Sequence, residues 1–436
     1  MNIHKLNQKK TLVKGRLIVG LDLAKREHVA VLMLPDGVVV GKPIKVANER
    51  EAFELFWKRC VELRERHQLG GIIFAMEATG SYWEPLARYF RPLGAELVFV
   101  HAKVVKQSRE MMDLSRSKND PKDAYVIAQV ASEGKFMSLN TPSGIWADLR
   151  ELGLMRADVL KDWVAWGNRI RSLGEKFWPE RERVLKSWTG MTSLHLLESC
   201  PFPDDALELG YDGLHQLVLE GSNRRKGRNL TKALLETAKV SIGVREGLET
   251  ARWELKHCVE LFRLLTAKLK EIDLKLVEAA EKTGYLDALA SIPGLSLVGA
   301  ALLLGEVGNP AQYRSAKEWI KLAGLNLIEN QSGGRQKREG KRISRVGRPV
   351  LRHVLYYLSI PILRHNPEFR VHYLQLRKRG KPAMKAIVAS MHKILRLTFA
   401  LCRTGQRYQE PPDIRQRVAE LKEEWTRQQA ALKRAS

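Results

Sequence analysis

Asp22 stands in IVGLDLAK and Glu77 in FAMEATGSY, each at the end of an apolar run, while Asp120 and Asp123 share SKNDPKDA. A carboxylate among apolar β-forming residues is costly to bury without a partner or a cation. The spacing of Asp120 and Asp123 puts both on one helix face if a helix begins near Asn119 or Asp120, and Pro121 suits a first helical position. Singly, each acid has a plain structural use: Asp120 can cap a helix and Glu77 can pair with a lysine. Together they would repel one another. A hard divalent cation, Mg²⁺ or Mn²⁺, removes that repulsion. Two such ions about 4 Å apart stabilise the attacking and leaving oxygens of a phosphodiester. The chemistry these four residues predict is metal-dependent phosphodiester transfer.

A second constellation is basic. Ser332 lies in a glycine-rich stretch beside Arg335, Lys337, Arg338, Lys341, Arg342, Arg345 and Arg348. Glycines let a backbone approach DNA closely, and guanidinium groups grip phosphate oxygens. A serine hydroxyl is a weak nucleophile unless a base or metal activates it, and the nearest following histidine is His353. On the residues alone, this is a nucleic-acid-binding loop with an incidental serine. Two further segments have similar double readings. Ile292-Pro293-Gly294-Leu295 followed by Val298 to Leu302 fits a helix-hairpin-helix, with Gly294 presenting backbone N–H groups to a phosphate, or an ordinary packing turn. Arg377-Lys378-Arg379-Gly380-Lys381 fits a phosphate-contacting turn or a solvated run.

The elements that must position the acids read as strands. Arg16 to Leu23 and His28 to Leu34 are apolar runs, and a Pro35-Asp36-Gly37 turn leads to a third strand over Val38 to Val46. Glu49 to His67 has helical periodicity, Gly71 to Met76 is a buried strand, Tyr82 to Leu93 a helix and Glu96 to Val100 a fifth strand. Three meandering strands, then helix, strand, helix, strand, predict an α/β domain with an RNase H-like layer, in which the first and fourth strands are neighbours. Asp22 and Glu77 would then face one another.

After Asp123 the pattern is helical. Leu248, Leu255, Phe262, Leu269 and Leu276 recur every seven residues, with Ala251, Cys258, Leu265, Ile272 and Ala279 at the other seam position, a coiled-coil signature. An earlier helix carries Leu149, Trp163, Ile170 and Phe177. The two helices can pair within one chain or between chains. Between them Gly190 to Arg228 is a mixed segment with Pro201, Pro203 and the run Arg224 to Arg228, expected as a small inserted unit or loop. The predicted organisation is an α/β domain at 1–140 and a coiled-coil region at 141–285 with an insert at about 186–240. A mostly helical domain at 286–405 and a helical tail at 406–436 follow.

The formal net charge is +25 and the pI near 9.9. Such a balance points to a polyanionic partner, DNA or RNA. The four cysteines form no CxxC pair, which argues against zinc and a disulfide framework and fits buried thiols in a reducing cytoplasm. No run is long and apolar enough for a bilayer, and the polar, lysine-rich start resembles no signal peptide, so no membrane partner is expected.

IVGLDLAK, MEATGSYWEPLA and SKNDPKDA resemble the three motifs of the DEDD transposases of insertion sequences, the IS110 family. SIPGLSLVGAALLLGEVG and AGLNLIENQSGGRQKREGKRISRVGRPVLRHVL resemble that family's C-terminal transposase domain. The resemblance implies a RuvC-like nuclease fold, a coiled coil and a transposase domain with a serine nucleophile. It implies a structured guide (bridge) RNA that pairs with donor and target DNA, and a bacterial or archaeal, nucleoid-associated, cytoplasmic protein. It carries the acidic set onto Asp22, Glu77, Asp120 and Asp123 and the nucleophile onto Ser332. Where the family motif often has a second serine, Gly333 and Gly334 stand here. The expected protein is an RNA-guided recombinase, a dimer or tetramer. The alternatives are a RuvC-like nuclease using water, or a nucleic-acid-binding protein without activity.

Overall fold

The computed structural model describes residues 3–77, 80, 82–112, 120–138, 142–225, 227–328 and 342–435. The chain forms two compact units, Met1–Thr141 and Pro142–Ser436.

The first unit begins with a helix, α1 (Ile3–Val13), that the sequence reading leaves as a polar start. Six strands follow: β1 (Arg16–Asp22), β2 (Glu27–Met33), β3 (Ile44–Ala47), β4 (Gly71–Glu77), β5 (Glu96–Val100) and β6 (Met137–Ser138). They are interleaved with α2 (Arg50–Arg66), α3 (Trp83–Phe90), α4 (Ala102–Met112) and α5 (Asp120–Ser132). The sheet order is β3-β2-β1-β4-β5-β6. β1, β4 and β5 are parallel, whereas β2, β3 and β6 run antiparallel to their neighbours. The predicted adjacency of first and fourth strands is present.

Two boundaries differ from expectation. The strand expected over Val38 to Val46 is reduced to one bridge, Met33 to Val39, and then β3. Gly41, at φ +74°, and Pro43, which lacks an N–H, break the run between them. β6 is a sixth strand in a region expected to be wholly helical; at two residues it is too short to leave a period.

Alternation along the strands builds two cores. Leu17, Val19 and Leu21, with Ile72, Phe74 and Met76, face α2 and α3, where Phe53, Phe56 and Phe90 pack. Ile18, Ile73 and Ala75 face α5, with Val126, Ile127 and Ala128. Gly20 lies on this second face, and a Cβ there would sit 2.1 Å from the Ala124 carbonyl oxygen and 2.7 Å from the Ala128 Cβ. The first turns of α5 therefore lie directly on β1 because residue 20 has no side chain.

The second unit is built on two long helices, α6 (Ile145–Phe177) and, after α7 (Arg181–Val184), α8 (Met191–Ser199), α9 (Pro203–Gly221) and α10 (Arg228–Lys239), α11 (Leu248–Glu281). α6 and α11 pack antiparallel within the chain. Arg156 meets Asp273 at 2.5 Å, the Trp163 indole donates to Thr266 at 2.9 Å, and Arg169 donates to Glu254 at 2.8 Å. Ala251, Leu255, Cys258, Phe262, Ile272, Leu276 and Ala279 of the seven-residue series are buried. The segment expected as an insert or loop is a helical unit: Trp178, Cys200, Leu214, Val218 and Leu234 form its own core. Its Arg181, almost fully buried, lies against the rings of Trp178 and Trp188.

The rest comprises α12 (Leu286–Ala290), α13 (Leu297–Val307), α14 (Ala316–Leu322), β7 (Leu327–Ile328), β8 (Arg342–Ile343), α15 (Pro349–His365), α16 (Pro367–Lys378), α17 (Ala383–Thr404) and α18 (Ile414–Ala435). One core joins Leu149 of α6 and Leu276 of α11 to Leu304, Trp319, Leu355 and Leu395. At the other end of the long pair, Phe177 and Leu255 pack with Trp188 and Leu197. Among the described residues no helix is long and apolar enough to cross a membrane.

Gly20→Ala should destabilise the protein by about 1–3 kcal/mol through overpacking, measured as a lower denaturation midpoint; an unchanged midpoint would deny the close approach of α5. All four cysteines are buried, and burial pushes the thiols of Cys60, Cys200 and Cys402 up to about 12. At pH 8 a disulfide reagent should label the native chain far more slowly than the denatured chain, in which all four thiols react.

Candidate functional site

In the first unit, parallel register pairs Leu21 with Met76, so Asp22 and Glu77 are the next residues on adjacent strands. Both continue the face that carries Gly20 and Ala75 and is covered by α5. Both are half-buried. Asp120 opens α5, as its spacing from Asp123 and the Pro121 signal predict; its side chain lies outside the described residues. Asp123 directly precedes Ala124, the residue pressed on Gly20, and is 6% exposed. Backbone placement thus brings the first turn of α5 to the strand ends that carry Asp22 and Glu77.

The buried Asp123 carboxylate has a cation already. Arg109 of α4 donates to its Oδ1 at 2.6 Å. A nearly desolvated carboxylate is tolerated there because the guanidinium neutralises it and donates a charge-assisted hydrogen bond. The sequence reading missed Arg109, since no spacing links it to Asp123. Among the described residues no three acidic, histidine or cysteine groups come together as a metal-holding set. The donor chemistry nevertheless suits a hard cation, because carboxylate oxygens are its preferred ligands and a positive group is drawn to Asp123 in its place.

In the second unit, Ser332, Arg335, Lys337, Arg338 and Lys341 lie outside the described residues. The base of their segment is well defined. Leu327 and Ile328 pair antiparallel with Ile343 and Arg342. Below that pair, the N–H groups of Ser344, Arg345 and Arg348 donate to the carbonyls of Asn326, Gly324 and Leu322. Gly324 takes φ +65°, and a Cβ there would meet the backbone of Arg345 and Val346 at 3.0 Å. The Ser344 hydroxyl is held by Asn326 Oδ1 at 2.6 Å.

The basic residues expected to touch nucleic acid separate into groups. Arg342 and Arg345 are exposed, and so are Lys378, Arg379 and Lys381 at the turn between α16 and α17; Arg377 is half-buried. Lys378 also forms an ion pair with Glu424 of α18. Arg348 turns inward: its guanidinium donates to the Glu306 carbonyl, and burial lowers its pKa. Gly294, at φ +88°, sits in the turn between α12 and α13, where a Cβ would lie 2.5 Å from the Pro361 carbonyl oxygen. The close approach that requires glycine here is to the backbone of α15. Trp83 packs edge-on against Phe99, 5.1 Å between ring centres.

Residues 19–179 match a family model of DEDD transposases, described as Transposase, and residues 286–374 match one described as Transposase IS116/IS110/IS902 family. The chain is 24% identical over 407 residues to the Insertion element IS116 uncharacterized 44.8 kDa protein of Streptomyces clavuligerus, covering 92% of this chain and 98% of that protein. It is 23% identical over 397 residues to the Insertion element IS110 uncharacterized 43.6 kDa protein of Streptomyces coelicolor, covering 90% and 95%. A pilin gene-inverting protein of Moraxella lacunata is 27% identical over 134 residues, 30% of this chain and 41% of that protein. Matched at both ends and along nearly the whole length of these relatives, the chain belongs to the IS110 family of insertion-sequence transposases, enzymes that cut and rejoin DNA.

Proposed function

We propose that this transposase is a metal-dependent serine recombinase that exchanges DNA strands under the direction of a structured guide RNA. The observation that carries the reading is the convergence of β1, β4 and α5 on Asp22, Glu77 and Asp123, at the sheet end where the family motifs fall. The sheet order, with the first and fourth strands central and parallel, supports an RNase H-like, RuvC-like assignment for the first unit.

Asp22, Glu77, Asp120 and Asp123 would hold Mg²⁺ or Mn²⁺. Bound there, such an ion would stabilise negative charge developing on phosphoryl oxygens and on a serine alkoxide. Arg109 pairs with Asp123 and offsets that one carboxylate's charge. Ser332 is the nucleophile: its Oγ bonds to phosphorus as a sugar oxygen leaves, and the phosphoserine linkage conserves the energy needed to rejoin the strand. Ser344, the next serine, is engaged with Asn326 and suits a structural role. Arg342 and Arg345, exposed beside the pinned base of the segment, suit phosphate contacts. The net charge of +25 is ample for both DNA and RNA. Pairing of guide RNA to DNA supplies specificity, and the protein acts as a dimer or tetramer. The pilin gene-inverting relative, by its name, acts in the inversion of a gene, and strand exchange without net hydrolysis is what inversion requires.

The purified protein with its guide RNA, Mg²⁺ and a DNA target should give a covalent protein–DNA adduct at Ser332, seen by denaturing electrophoresis and peptide mapping. Ser332→Ala should abolish adduct and recombination, and Asp120→Asn should lower both by orders of magnitude. Full cleavage by Ser332→Ala would assign the nucleophile to water and the protein to RuvC-like nucleases; undiminished cleavage by Asp120→Asn would sink both readings.

A further inference from the structure

A cavity of ≈ 320 Å³ lies in the second unit between the first half of α6, α13 and α15. α6 and α13 run close together along this wall, with Gly153 against Leu302 and Gly305 against Leu149. Gly305 allows the contact: a Cβ on it would lie 2.7 Å from the Leu149 carbonyl oxygen. α15 closes the remaining side. The volume falls in the range of small-ligand sites.

The lining is largely apolar, with Arg150, Arg156 and Lys161 as its cations. Leu149 is fully buried, and Leu302 and Val354 complete the apolar surface. Arg150 of α6 lines the cavity, and its Nη1 is buried with no hydrogen-bond partner. A buried donor without an acceptor is costly, more so on a charged group. Arg156, by contrast, is already satisfied by Asp273. The mouth carries an exposed lysine, Lys161, and an exposed aromatic pair, His353 and Tyr357, 4.6 Å apart between ring centres with Tyr357 60% exposed. Glu306, buried, is the acidic group of the lining. It disfavours a phosphate on the floor, which leaves Lys161 at the mouth to receive one.

We infer that this cavity receives an unstacked nucleotide of single-stranded DNA, its base between the apolar floor and the Tyr357 ring and its phosphate on the exposed Lys161. An apolar helix of another protein would leave the Lys161 charge at the mouth unused. A free inorganic anion would leave the apolar floor and the aromatic mouth unused. A nucleotide uses all three features: aromatic rings stack on bases regardless of sequence, and ammonium groups bind phosphates. DNA is favoured because the family acts on DNA and because the exposed arginines 342 and 345 lead directly into α15, whose first turns form the cavity wall. The inference stands independently of the role of Ser332.

The test uses the full-length protein in EDTA, so that no strand is cut. The probes are a single-stranded oligodeoxynucleotide carrying one 2-aminopurine and the same strand with an abasic site at that position. The wild type should give a saturable fluorescence change and bind the abasic strand more weakly, on the order of tenfold. Ala157→Trp fills the cavity from an exposed position of α6 and should erase both effects, as should Tyr357→Ala, which removes the stacking ring without filling space. Lys161→Gln should weaken binding more than loss of a remote surface charge in Lys270→Ala. Equal binding of the two strands by wild type, or full discrimination retained by folded Ala157→Trp and Tyr357→Ala proteins, overturns the inference. A fluorescence response confined to the corresponding oligoribonucleotide assigns the cavity to RNA and overturns it equally.

Discussion

The contact between Gly20 and the first turns of α5 decides where the acidic residues of the first unit can stand. Helix and strand meet with backbone oxygen where a side chain would be. That distance cannot relax without moving Ala124, and Ala124 is covalently next to Asp123. The rest follows from ordinary periodicity. Once α5 is fixed on β1, the alternation that puts Ile18 and Ile73 beneath it carries Asp22 and Glu77 to its start. A position occupied by hydrogen on one strand therefore sets the spacing of carboxylates contributed by three different elements.

Arg109 shows how such a cluster persists in a folded chain. A carboxylate as buried as Asp123 is costly to place in a fold without a partner, and Arg109 is that partner. A guanidinium is suited to this because it stays charged at any physiological pH and binds carboxylates directionally. The ion pair makes the acidic end of the sheet electrostatically tolerable and leaves Asp123 in a defined orientation.

Much of this was legible in the sequence because the strands have strong signatures. GIIFAM and ELVFV have the length and β-forming composition of buried strands, and the bounds of β5 coincide with expectation. The adjacency of β1 and β4 followed from element order. The acids were visible as polar interruptions of apolar runs. What was hidden depends on contacts between residues distant in sequence. Arg109 reaches Asp123 from the preceding helix, α4, and Arg348, one of many basic residues in its stretch, turns inward to the Glu306 carbonyl. Nothing in a run of arginines marks which member is enclosed. Gly294 was recognised as a turn glycine, but the helix it approaches is almost seventy residues later. The seven-residue series identified α11, and only the cross-helix pairs such as Trp163 with Thr266 determine that its partner is α6 of the same chain.

The antiparallel pairing of α6 and α11 has a mechanical consequence. A helix of 33 residues is about 50 Å long, at 1.5 Å per residue, and two such helices side by side resist bending far better than one. One end is embedded in the core that also holds α13, α15 and α17, and the other carries the small helical unit with Arg181 between its tryptophans. The pair is thus a strut, and its cargo has a hydrophobic centre of its own. Because that centre is separate from the core that joins α13, α15 and α17, a change within the cargo leaves the packing at the opposite end of the strut undisturbed.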